Sequence, residues 1–132
     1  MYYPERRKIL IAEADNDISA TLTIFLETDG GFSCEQIHQT ELLQALSKGA
    51  QIHAIIYSAD HINDAQIQQL KKIDKTIQKD SPETRLIILT TQKGEQLQDA
   101  FRQTYPNGFS SRRARVINKP FDIDELLRHV VQ

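Results

Sequence analysis

Leu86-Ile87-Ile88-Leu89-Thr90-Thr91 is the stretch on which the fold turns. Four consecutive apolar residues, closed by two hydroxyls, lack the alternation of a strand with one wet face and read as a strand buried on both faces. Such a strand needs helices above and below it, and the flanking sequence supplies them. Upstream, Asp64 to Lys79 carries Ile67, Leu70, Ile73 and Ile77 at spacings of three and four before Ser81-Pro82 stops the helix. A third strand precedes it, from about Ile52 to Tyr57.

Further upstream the alternation repeats. Thr40 caps a helix through Leu42, Leu43, Ala45 and Leu46 that ends at Gly49, after a weaker strand at Phe32 to Ile37 suited to an edge. Asp15 or Asn16 caps a first helix running to about Thr28, with Ile18, Leu22, Phe25 and Leu26 on one face and Asp29-Gly30-Gly31 closing it. Lys8 to Ala12 is the first strand. Downstream of Thr91, a fourth helix around Glu95 to Tyr105 places Leu97, Ala100 and Phe101 on one face, and Pro106-Asn107-Gly108 breaks it. A loop from Phe109 to Arg115 leads to a short strand at Val116-Ile117. Asp122 and Glu125 then form a capping box for a last helix with Ile123, Leu126, Leu127 and Val130 inward. Five βα units result, an α/β chain with a doubly wound parallel sheet.

A length of 132 residues suits one domain, residues 1–132, with 1–7 as an N-terminal extension. With 39% hydrophobic and 26% charged residues the chain reads as a soluble globular protein and not as a disordered one. A formal net charge of -2 gives no electrostatic reason to expect nucleic acid or an anionic membrane as partner. Met1 to Lys8 is basic but leads into only Ile9-Leu10-Ile11-Ala12, too short for the apolar core of a signal peptide. No apolar run approaches the roughly 20 residues that span a bilayer. A cytoplasmic location is expected, and the lone Cys34 reads as a core filler. His38, His53, His61 and His129 have no paired metal-ligand spacing, and Gly30-Gly31 and Lys93-Gly94 read as isolated turns.

In an open parallel sheet ligands sit beyond the carboxyl ends of the strands, where strand order reverses. The residues to inspect are therefore Glu13, Ala14 and Asp15 after the first strand, Ser58 after the third, Thr90 and Thr91 after the fourth, and Lys119-Pro120 after the fifth. Lys119-Pro120-Phe121 before an Asp-capped helix, with Leu89-Thr90-Thr91, resembles the receiver domain of bacterial response regulators, and the likeness runs over nearly the whole chain. The resemblance implies a flavodoxin-like (βα)5 fold with strand order 2-1-3-4-5. It also implies two-component or phosphorelay signalling, in which two acids after the first strand hold Mg²⁺ and an aspartate after the third accepts a phosphoryl group. A threonine hydroxyl and a lysine ammonium then grip the phosphoryl oxygens.

Carried over by position, Thr90 and Lys119 match that pattern, and Glu13 matches the first acid with a longer side chain. Ala14 stands in place of the second acid, Ser58 in place of the acceptor, and Val116 where the family often has a switch aromatic. A neutral alcohol needs an activating base to attack phosphorus, so Ser58 reads as a small hydroxyl in a vestigial pocket formed by Glu13, Ala14, Ser58, Thr90, Lys119 and Pro120 rather than as a phosphorylated serine. Asp15 either replaces the missing acid or caps the helix, with the cap favoured. Lys119 is either a phosphate ligand or, as favoured, a salt-bridge partner of Glu13. Pro120 is expected to be cis, as the resemblance implies.

The preferred expectation is a pseudo-receiver acting by protein–protein interaction, not an enzyme, with no cofactor and with a signalling protein, an output domain or a second copy as partner. Its interface is expected around Phe101, Tyr105, Arg112, Arg113, Arg115 and Val116. Two alternatives stand beside it. One is an active receiver using Asp60 as a displaced acceptor, presented by a longer third strand, with Mg²⁺ on Glu13 and Asp15; the other is a flavodoxin-like domain binding a nucleotide or small ligand.

Overall fold

A computed structural model describes residues 7–48, 51–91 and 114–131. Five parallel strands lie in the order β2-β1-β3-β4-β5: β1 (Lys8–Ala12), β2 (Ser33–Gln36), β3 (Ala54–Ser58), β4 (Arg85–Thr90) and β5 (Ala114–Asn118). Helices cover both faces. α1 (Asn16–Thr28) and the C-terminal helix α4 (Ile123–Val131) lie on one, and α2 (Leu42–Ser47) and α3 (Asp64–Asp80) on the other. The reversal of strand order between β1 and β3 places a crevice at their carboxyl ends. The expected strand order and doubly wound architecture are both present.

The two-residue period of a strand divides the core. Ile9, Ile11, Ala54, Ile56, Ile87 and Leu89 point toward Leu22 and Leu26 of α1 and Leu126 and Val130 of α4. Leu10, Ile55, Tyr57, Leu86 and Ile88 point toward Leu42 and Leu46 of α2 and Ile67, Leu70, Ile73 and Ile77 of α3. β3 and β4 are buried at every position, which is why Leu86 to Leu89 shows no alternation in sequence. Each fully buried isoleucine or leucine contributes about 2 kcal/mol of transfer free energy.

Several boundaries differ from the sequence reading. Ile18 and Phe25 are 39% and 36% exposed, and Ser19 takes the inward place beside Leu22 and Leu26. The apolar stripe of α1 is wider than the strip the sheet can cover, so its flank lies open. Thr40 caps no helix. The chain first makes a 3₁₀ turn at Gln39–Glu41, and His38 Nδ1 accepts the Thr40 N–H. α3 is opened by Asn63, whose side chain and that of Gln66 exchange bonds with each other's backbone N–H. β5 is longer than Val116-Ile117. Of that pair Ile117 is buried, while Val116 is 38% exposed. The stop at Gly49, the helix at Glu95 to Tyr105, the Pro106-Asn107-Gly108 break and the loop from Phe109 through Arg113 lie outside the described residues.

The turn into β2 depends on two glycines. Gly31 has φ +70, where a Cβ is strained but has open space around it. At Gly30 a Cβ would lie 2.6 Å from Cδ2 of Phe32 and 2.9 Å from the Leu26 carbonyl oxygen. Phe32 in turn stacks on His53, ring centroids 4.9 Å apart. His53 Nε2 donates to the Val130 carbonyl at 2.6 Å, and Arg85 donates to that of Val131 at 3.4 Å. These bonds serve the carbonyls that a helix C-terminus leaves unpaired.

Cys34 lies half-buried in β2, and burial, with Glu27 nearby, pushes its thiol from 9.0 up to about 11. A thiol that titrates this high holds about a hundredfold less thiolate near pH 8 than an unperturbed cysteine does. Iodoacetamide should therefore alkylate Cys34 about a hundredfold more slowly than it alkylates glutathione at that pH. Equal rates would show the thiol to be unperturbed. Among the described residues no helix is long and apolar enough to cross a membrane.

Candidate functional site

Four chain segments converge at the carboxyl ends of β1, β3, β4 and β5. Glu13 follows β1, Ser58 ends β3, Thr90 ends β4, and Lys119 follows β5. Ser58 is 2% exposed and its hydroxyl donates to Glu13 Oε1 at 3.1 Å. Lys119 Nζ lies 3.4 Å from that same oxygen. The two side chains are 6% and 12% exposed, so the carboxylate and ammonium have exchanged most of their water for one another.

A second acid reaches the lysine. Asp60 Oδ1 is 3.2 Å from Lys119 Nζ, although the Asp60 side chain is 78% exposed. No longer strand presents it, because β3 stops at Ser58 and Asp60 stands in the loop before α3. Thr90 Oγ1 and Thr91 Oγ1 donate to the Asp60 backbone carbonyl at 3.1 Å and 2.7 Å. The Ala59 N–H donates to the Leu89 carbonyl at 3.0 Å. The loop is thus fastened to the end of β4 on both sides.

In front of Glu13 and Ser58 opens a cleft of about 790 Å³, walled by Ala14, Asn16, His38, Gln39 and His61 among others. A network of amides that the sequence reading missed fixes one wall. Tyr57 is fully buried, which pushes its phenol from 10.0 up to about 12. Its hydroxyl donates to Gln69 Oε1 at 2.9 Å and lies 3.3 Å from Gln39 Oε1. Gln69 Nε2 donates to the Gln39 carbonyl, and Gln39 Nε2 reaches the Ser58 carbonyl at 3.4 Å. The available signal was Tyr57 itself, since a phenol on a buried strand needs a polar partner.

Mg²⁺ prefers several unencumbered oxygen ligands, and the residues present do not offer them. Glu13 Oε1 is taken by the Ser58 hydroxyl and the Lys119 ammonium. Asp15 caps α1, accepting the N–H groups of Asp17 and Ile18 at 2.9 Å and 3.1 Å. Ala14 offers no side-chain ligand, and among the described residues no group of three His, Cys, Asp or Glu side chains is placed to hold a metal ion. The donor set therefore does not fit Mg²⁺, since the ion would have to displace a buried ammonium.

The Lys119–Pro120 peptide is cis. Of the expected interface residues, Arg115 and Val116 are exposed on β5. Phe101, Tyr105, Arg112 and Arg113 lie outside the described residues.

No protein-family model matches the chain, and no curated protein matches it in sequence. Solved structures do match it in shape. A response regulator receiver protein from Sinorhizobium medicae superposes with a TM-score of 0.70 at 17% identity, covering 97% of this chain and 94% of that one. The chemotaxis protein CheY4 of Vibrio cholerae gives 0.68 at 19% identity, with 96% and 98% covered. A pilus assembly-related protein from Burkholderia pseudomallei gives 0.69 at 17% identity, with 99% and 94% covered. The chain therefore has the flavodoxin-like fold of response-regulator receiver proteins.

Proposed function

We propose that this chain is a receiver-like signalling module of bacterial two-component systems, cytoplasmic and non-enzymatic, that acts by binding other proteins and is not phosphorylated on aspartate. The observation that carries the proposal is the engagement of Lys119 by Glu13 at 3.4 Å and Asp60 at 3.2 Å, with Ser58 bonded to that same Glu13 oxygen. At the end of β3 a hydroxyl stands where a carboxylate nucleophile would be needed, and no base is free beside it to activate the alcohol. With Val116 at the place of a switch aromatic, the exposed edge at Arg115 and Val116 is a constitutive surface for a signalling protein, an output domain or a second copy.

One observation favours the second reading. The Asp60 carboxylate is 78% exposed and pairs with Lys119, as an acceptor aspartate would. Its place in a loop pinned through its own carbonyl, and the lack of a fitting Mg²⁺ site, argue against that role.

The proposal is tested by titrating Mg²⁺ into ¹⁵N-labelled protein. The expected result is no saturable shift of the Glu13, Ser58, Asp60 or Thr90 amides at millimolar Mg²⁺. Saturation centred on Glu13 and Asp60 would instead support the active-receiver reading.

A further inference from the structure

Three donors from two strand ends converge on one residue of the β3–α3 loop. Thr90 Oγ1 and Thr91 Oγ1 reach the Asp60 carbonyl oxygen, whose two lone pairs they can both occupy, and Lys119 Nζ reaches its carboxylate. The rest of the loop is fixed as well. Ala59 is tied to Leu89, Ile62 is 5% exposed within the core, and Asn63 is locked into the capping box of α3. An ammonium beside two hydroxyls is a donor set suited to an oxyanion, yet here every member of it is directed at the chain's own backbone and side chain.

We propose that Asp60 is the internal ligand of this pocket: its carboxylate occupies the position at Lys119 that an external tetrahedral oxyanion would take, and its carbonyl engages the hydroxyls that would complete such a site. The pocket is thereby held in a self-liganded state, and the loop surface bearing Asp60 and His61 keeps one conformation whatever phosphate donors are present. The inference deepens the interaction-module reading and rests on it only for its consequence in signalling.

The test uses inorganic phosphate, which carries no leaving group and so cannot phosphorylate Asp60. Amide spectra of the wild-type chain and of Asp60→Ala are recorded against phosphate at constant ionic strength, with sulfate as a parallel arm. In the variant, the amides of residues 59–63, Thr90 and Thr91 are expected to shift saturably, with affinity about tenfold or more above the wild type once the competing charge is gone. Sulfate should act alike, and Lys119→Met added to Asp60→Ala should abolish the effect. Because the Asp60 side chain is mostly exposed, the variant should fold; Asp60→Asn, which keeps the volume and removes the charge, should gain affinity in the same direction. Equal phosphate affinity in wild type and both variants, or no binding by any of them, would overturn the proposal. A covalent adduct from an activated donor would refute the non-phosphorylated reading and leave the self-liganded ground state standing, so the two failures are distinguishable.

Discussion

Replacing Lys119 with methionine is expected to destabilise the fold by about 3–5 kcal/mol, the range for removing one partner of a buried ion pair. Methionine keeps the apolar stem but leaves Glu13, 6% exposed, with the Ser58 hydroxyl and no counter-ion among the described residues. Urea unfolding should show a lower midpoint at unchanged slope, and the melting temperature should fall by roughly 10 °C. Glu13→Gln should cost less. Its amide keeps a hydrogen-bond partner for Ser58, and Lys119 retains Asp60 at 3.2 Å. Changing both Lys119 and Glu13 to apolar residues of similar volume should recover most of the loss, because the desolvation of two charges disappears with them. A cost below about 1 kcal/mol for Lys119→Met would place the pair among surface salt bridges and remove the reason to regard the pocket as closed.

Gly30→Ala is expected to cost about 2–3 kcal/mol, as overpacking of a filled core does. The new methyl would meet the Phe32 ring at 2.6 Å and the Leu26 carbonyl oxygen at 2.9 Å. Phe32 cannot retreat freely, because it is 5% exposed and stacked on the His53 ring that holds the end of α4. The neighbouring change provides the control. Gly31→Ala meets nothing within 4 Å and bears only the strain of φ +70, about 1 kcal/mol. Thermal denaturation of the two variants should rank them in that order, with protection of the α4 amides reduced only in Gly30→Ala. The reverse order would mean that backbone conformation, not the Phe32 contact, governs the turn.

The architecture was legible because its central strands are buried on both faces. Runs such as Ile55-Ile56-Tyr57 and Leu86 to Leu89 have one physical explanation in a chain with amphipathic segments between them. Elements that owe their form to tertiary neighbours were harder to read. The 3₁₀ turn at Gln39–Glu41 is stitched to Tyr57 and α3 by glutamine amides that are distant in sequence. On α1 the spacing of Ile18 and Phe25 fits an inward face, yet the sheet covers only the strip through Ser19, Leu22 and Leu26.

The site shows the same division. Positions after strands locate Glu13, Ser58, Thr90 and Lys119 because a parallel sheet brings all its carboxyl ends together. The path of the β3–α3 loop follows no periodicity. That Asp60 would turn back to Lys119 while its carbonyl met two threonines depends on the anchoring of Ile62 and Asn63 on one side and Ala59 on the other.

The central claim is that a pocket with this scaffold no longer takes a phosphoryl group on aspartate. Its most direct test is an intact-mass measurement after incubating the chain with acetyl phosphate and Mg²⁺, beside Asp60→Asn and Ser58→Ala. The expected spectrum is that of the unmodified chain in all three samples. A phosphoryl adduct on the wild type that persists in Ser58→Ala and is lost in Asp60→Asn would contradict the account.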